Sequence, residues 1–264
     1  MPETRPLALR LAALASVLAV LAAAPAAQAG IDINTTRIVF PADQREVPVE
    51  VTNTGAAPER IRAWGDDGDI HAIPASNRAP FIVSPSMADI APGKTQTLRI
   101  RFDGNALPNH SESVFWLNVL DTPPRPSIAF ESTHTLLAVA ARTRIKLFYR
   151  PARLPGNARE AVTHIHWTLL RECGHDTLQA TNPTPYSASF AQLAIARDNA
   201  VTLADGKPGT DMVKPGTTAL FPISGHIAAN DGLHLRYQAI DDYGGVFPGE
   251  APLPVESKPS CSER

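Results

Sequence analysis

The chain has 264 residues, a formal net charge of −2 and 44% hydrophobic residues. That length suits one large domain or two of about 100–150 residues, and a charge so close to zero gives no support for a general nucleic-acid or membrane binder. The 25 prolines are spread along the chain; they argue against long helices, whose interior needs the amide proton that proline lacks, and for short strands joined by turns.

Residues 1–29 read as a secretory leader. Arg5 and Arg10 flank a positive start, Leu11 to Ala24 is apolar except for Ser16, Pro25 breaks the run, and Ala27-Gln28-Ala29 is a small-x-small cleavage pattern. The apolar run is too short for a membrane anchor, and no later stretch reaches about 18 apolar residues, so an exported chain without membrane insertion is expected. Removing Glu3, Arg5 and Arg10 leaves 22 basic and 25 acidic residues.

The mature chain opens with strand-like Ile31-Asp32-Ile33-Asn34 and Thr36 to Phe40, stopped by Pro41. Val47 to Val51 alternates and ends at the turn signal Asn53-Thr54-Gly55. Ile61 to Trp64 and Phe81 to Val83 follow, then a turn at Ile90-Ala91-Pro92-Gly93. Gln96 to Phe102 sets Thr97, Arg99 and Arg101 against Leu98, Ile100 and Phe102; Ser113 to Leu120 and Leu136 to Tyr149 complete about seven strands. Short alternating strands with a turn every 8–15 residues or so predict a β-sandwich of immunoglobulin type.

Two prolines and a glycine in Pro151 to Gly156 mark a domain boundary, giving domains of residues 30–151 and 152–264. Strands resume at Ile165 to Leu170, Thr177 to Ala180, Ser187 to Ile195, Thr217 to Ile223 and Leu233 to Ile240, with turns at Asn182 to Tyr186 and Asp242 to Gly245. The fold class is therefore all-β, two immunoglobulin-like sandwiches in tandem, with no strong sequence repeat between them. Cys173 and Cys261 either stay as thiols or, in an oxidising compartment, form one bond; that bond would close a loop of about 88 residues and contribute roughly 4–5 kcal/mol.

Thr135 to Tyr149 is too long for an ordinary strand of about 5–6 residues. Leu136 to Arg144 could also be helical. As a strand, its faces separate: Thr135, Leu137, Val139, Ala141, Thr143 and Ile145 on one side, and His134, Leu136, Ala138, Ala140, Arg142, Arg144 and Lys146 on the other. By periodicity alone the first set would fill the protein's own core.

Four motifs in order, Thr36 to Phe40, Ile145 to Pro151, Asn182 to Tyr186 and Asp242 to Gly245, resemble those of the periplasmic pilus chaperone family, as does Ala91-Pro92-Gly93-Lys94 with the strand that follows it. The resemblance spans nearly the whole mature chain. It implies a non-enzymatic periplasmic protein, needing no cofactor or metal, that completes the open sandwich of pilus or fimbrial subunits with its own strand and delivers them to an outer-membrane usher. The donor residues would be Thr135, Leu137, Val139 and Ala141. Leu137 and Val139 would each bury apolar surface worth about 1.5–3 kcal/mol. Arg37 and Lys146 would hold the subunit's terminal carboxylate, which sets the register of the added strand. Glu112, Arg150 and Asp242 would fix the angle between the domains.

The chain departs from the family pattern in a longer segment at Thr122 to Thr133, in its cysteine spacing and in its slightly acidic charge. Two rivals are a secreted immunoglobulin-like fibre subunit or adhesin, and a metal site at His164 and His166, placed together on one strand with Cys173 and His175 nearby. No hydrolase, phosphate-binding or metalloprotease motif accompanies those histidines.

Overall fold

The computed structural model describes residues 30–76, 78–122, 140–172, 175–197, 200–203, 212–223, 227 and 232–257. Thr135, Leu137, Val139, Cys173 and Cys261, with the expected donor face and disulfide, lie outside these residues. The first half contains β1 (Ile31–Ile33), β2 (Arg37–Pro41), β3 (Glu46–Asn53), β4 (Glu59–Asp66), β5 (Phe81–Ser84), β6 (Met87–Ile90), β7 (Thr95–Phe102), β8 (Ser113–Thr122) and β9 (Ala141–Arg150). They form a four-stranded sheet, β1-β3-β7-β5, and a five-stranded sheet, β2-β9-β8-β4-β6.

Alternation places the core between these sheets, as period-two side chains require. Val49 and Val51 of β3, Leu98 and Ile100 of β7, Ile61 and Ala63 of β4, Leu117 and Val119 of β8, and Ile145 and Leu147 of β9 all point inward. An aromatic cluster closes one end, with Phe81 and Phe115 ring centres 5.2 Å apart and Phe102 and Tyr149 4.7 Å apart.

A short helix, α1 (Ala158–Ala161), follows β9; Asn157 caps it by accepting the Glu160 amide proton. The second half contains β10 (His166–Glu172), β11 (His175–Thr181), β12 (Ala188–Arg197), β13 (Ala200–Leu203), β14 (Met212–Val213), β15 (Thr218–Pro222), β16 (His234–Ile240), β17 (Val246–Pro252) and β18 (Val255–Ser257). Its sheets run β15-β11-β10-β18 and β13-β12-β16-β17, with β14 beside β12. Trp167, Phe190, Phe221 and Tyr237 sit in the core between them.

β6, β13, β14, β17, β18 and α1 were not expected from the sequence. In β17 the prolines at 248 and 252 disguise a strand that proline tolerates because it is an edge of its sheet. His164 belongs to a 3-10 turn and His166 starts β10. The two therefore do not alternate on one strand.

The halves share a corner that the sequence conceals. The Asn53 amide donates to the Lys94 carbonyl and the Gly93 amide to the Asn53 carbonyl; the Asn182 amide donates to the Thr217 carbonyl and the Gly216 amide to the Asn182 carbonyl. Both asparagines are buried, and each side-chain amide donates to two backbone carbonyls: Ala57 and Ile90 for Asn53, Tyr186 and Val213 for Asn182. The partner turns, Pro92-Gly93 and Pro215-Gly216, place glycine at φ +68° and +64°, where a side chain is disfavoured.

Candidate functional site

β9 is paired unequally. β8 runs beside it from Ser113↔Tyr149 to Asp121↔Ala141, whereas β2 joins it in parallel only from Arg37↔Lys146 to Pro41↔Arg150. Among the described residues, Ala141 to Ile145 therefore has a strand on one side only. An edge of this kind presents backbone donors and acceptors to an incoming strand. Ala141 is exposed at its start.

Where β2 begins, the outer face of the sheet meets the second half of the chain. Arg37 and Lys146 are direct cross-strand neighbours on that face. Arg37 is buried, donates from Nη1 to the Ile240 carbonyl at 3.3 Å, and has its guanidinium carbon 5.8 Å from the Phe148 ring centre. Glu112, Arg150 and Asp242 come together beside it. Arg150 Nε donates to Glu112 Oε1 at 2.6 Å, and Nη1 and Nη2 donate to the two Asp242 oxygens at 2.6 and 2.7 Å. Glu112 also accepts the Ser187 amide at 2.8 Å, while its own amide donates to the Pro185 carbonyl. Burial would lower the Arg150 guanidinium, but Asp242 and Glu112 outweigh it and hold the charge above the usual arginine range. Burial pushes Glu112 up, against the opposing pull of Arg150 and the Ser187 amide. The turn carrying Asp242 fits closely: a side chain on Gly244 would run into Thr36 Oγ1.

A second charged group was missed in the sequence. On the outer face of β4, β8 and β9, Arg144 donates to both oxygens of Asp66, at 2.9 and 2.5 Å, and Asn118 Nδ2 donates to Asp66 Oδ2 at 2.7 Å. Arg142 donates twice to Asn118 Oδ1, at 2.9 and 2.6 Å, and its guanidinium carbon lies 4.9 Å from the Trp64 ring centre. Arg144 lies 4.5 Å from that of Trp116. Burial alone would raise Asp66, yet the bonds from Arg144, Asn118 and the Gly68 amide hold it below the ordinary aspartate range. The signal was the basic stripe Arg142, Arg144, Lys146, which needs a counter-charge on a neighbouring strand. Its location depends on the β4-β8-β9 register.

Among the described residues, no group of three or more His, Cys, Asp or Glu side chains converges to hold a metal. No helix among them is long and apolar enough to cross a membrane.

Residues 30–155 match the family model described as the pili and flagellar-assembly chaperone, PapD N-terminal domain, and residues 160–251 match the pili assembly chaperone PapD, C-terminal domain. The chain belongs to the PapD-like pilus chaperone family. Within that family it is 39% identical to the chaperone protein FimB/FhaD of Bordetella pertussis, over 90% of this chain and 93% of that protein. It is 35% identical to the probable fimbrial chaperone YadV of Escherichia coli, over 85% and 90%. The crystal structure of YadV superposes with a TM-score of 0.71, at 32% identity, covering 84% of this chain and 99% of that one. The Pseudomonas aeruginosa CupB2 chaperone gives 0.69 at 33% identity, covering 84% and 100%. Tandem immunoglobulin-like sandwiches are thus the architecture of this family member.

Proposed function

We propose that this chaperone is exported, loses its leader after Ala29, and acts without catalysis in the periplasm, with one domain ending at Pro151 and the next beginning at Ala152. It binds pilus or fimbrial subunits as they emerge, completes their open sandwich along β9 and the preceding Thr135, Leu137 and Val139, and passes them to an outer-membrane usher. Arg37 and Lys146 anchor the subunit's terminal carboxylate; Glu112, Arg150 and Asp242 set the domain angle. No nucleotide or metal takes part.

The observation that carries this reading is the edge of β9 at Ala141 to Ile145, paired on one side only among the described residues, which runs into the face where Arg37 and Lys146 stand side by side. A carboxylate held there fixes which subunit residue meets which residue of β9, and a one-residue slip would reverse the inserted face. The naming of relatives as a chaperone protein and a probable fimbrial chaperone favours this over a fibre subunit or adhesin.

Co-expression with a pilin subunit that the wild-type protein co-purifies with, followed by purification, tests the anchor. Lys146→Ala should reduce the co-purified subunit at least tenfold, a loss of about 1.4 kcal/mol, and leave the subunit open to proteolysis. A subunit that stays equally bound and protected with Lys146→Ala removes the anchor assignment.

A further inference from the structure

One end of the first sandwich turns two acids inward. Along β4, Ile61 and Ala63 face the core, and along β8, Leu117 and Val119 do; by the same alternation Glu59 and Asp121 take the last inward positions. Ile61 and Asp121 are direct partners, so Glu59 lies on the diagonal, and the two carboxyls are within hydrogen-bonding reach of each other. Glu59 Oε2 and Asp121 Oδ1 are closed off from solvent and have no hydrogen-bond partner among the described residues. The neighbouring cations are committed elsewhere or exposed. Arg60 points to the opposite face and binds Asp89 with two hydrogen bonds; Lys94 is exposed, as is Asp32 on β1. Burial pushes both acids above their ordinary range, and for Glu59 the Asp121 charge adds to it. Like charges this close, each with one oxygen closed off from solvent, are eased by a cation or by giving up ionisation.

The chain that lies on this pair is Gly30. A side-chain carbon built there would sit 2.9 Å from Asp121 Oδ2 and 3.2 Å from Glu59 Oε1; the Gly30 nitrogen is two bonds from that point. Gly30 is held in place from behind, its carbonyl accepting the Thr54 amide at 3.0 Å. In the precursor the Gly30 nitrogen is a neutral amide with a single donor. After cleavage at Ala29 it is an ammonium with three.

We propose that the α-ammonium released at Gly30 by leader removal docks onto Glu59 and Asp121, so that the sandwich is electrostatically completed only after export and cleavage. This rests on the leader reading above, and its ligand is the protein's own new N-terminus. Glycine suits the position because a side-chain carbon there would take up space against the two carboxylates and make them shift. A docked ammonium releases its proton less readily than a free one. Its stabilisation is therefore present below the ordinary α-amino value of about 8 and is lost as pH rises through the elevated midpoint.

The test uses mature protein from the periplasm, labelled with 13C-glycine, with its first residue established by intact mass. Following the Gly30 α-carbon resonance with pH should show proton affinity raised about tenfold or more over the ordinary α-amine. Glu59→Gln with Asp121→Asn should return it to the ordinary value. A variant with one alanine inserted before Gly30 keeps both acids, guarding against misfolding of the double variant; its α-amine should titrate normally and it should melt at a lower temperature. A mature end other than Gly30, or an ordinary midpoint unmoved by the acid substitutions, overturns the proposal. These readings are independent of subunit co-purification, so a free α-amine leaves the chaperone assignment standing, and loss of subunit binding leaves the docking standing.

Discussion

Asp66 carries a negative charge into a site whose side chain has no solvent exposure. It is tolerable there because Arg144, Asn118 and the Gly68 amide all donate to it. Its folded value lies below the ordinary aspartate range, so it binds a proton less readily folded than unfolded. Its contribution is therefore complete above about pH 4 and is lost as pH falls through the lowered folded value. Asp66→Asn should destabilise the protein by about 3 kcal/mol at pH 7, because Arg144 keeps its charge and loses its partner. The difference from wild type should shrink as pH falls through that lowered value, and urea titrations at pH 7 and in acid measure it. The basic stripe on β9 was legible as alternating residues. Its acid partner was not, because Asp66 and Arg144 are 78 positions apart and only strand register brings them together.

At the scale of the strand, close approach decides what sequence pattern cannot. Tyr237 on β16 stands directly opposite Gly249 on β17, and its ring crosses the place that a side chain at 249 would occupy. The ring stays in the core against Trp167 and Phe190, with centres 6.4 and 5.6 Å away. Gly249→Ala should force it out and cost about 1–3 kcal/mol as an overpacked site, read as a lower midpoint in urea; an unchanged midpoint would mean that the ring moves freely. The strand holding Gly249 was not expected, since Pro248 and Pro252 look like breakers until the strand is seen to be an edge. β9 shows the reverse. Its period-two pattern set Ile145 inward and Arg142, Arg144 and Lys146 outward directly, because alternation sorts a strand with one buried face; Ala141 and Thr143 share the Ile145 face but are exposed, since the core ends before them.

At the scale of the whole molecule, Arg150 links the halves by bonding Glu112 and Asp242 together. Asp242→Asn removes one charge from that link, leaves each core intact, and should weaken the coupling by on the order of 1–2 kcal/mol. In scanning calorimetry a single transition should split into two, with each domain keeping close to its own midpoint. Retention of one sharp transition would place the coupling elsewhere, in the Arg37, Phe148 and Ile240 contacts. The same split should accompany a changed radius of gyration in solution scattering.

By itself, the amino-acid sequence determined the all-β class, two sandwiches and the inward and outward faces of the regular strands. These follow from local physics: proline and glycine interrupt helices, and side chains alternate along a strand. Tertiary structure decided which distant charges meet, Asp66 with Arg144 and Arg150 with Glu112 and Asp242, and it laid Gly30 against Glu59 and Asp121. It also decided that Asn53 and Asn182 build the same corner, and that, among the described residues, β9 is paired by β8 along its length but by β2 only from Lys146 onward. Each depends on the register and order of strands remote in sequence, and the free energy that selects them comes from burying a shared core, which no local pattern encodes.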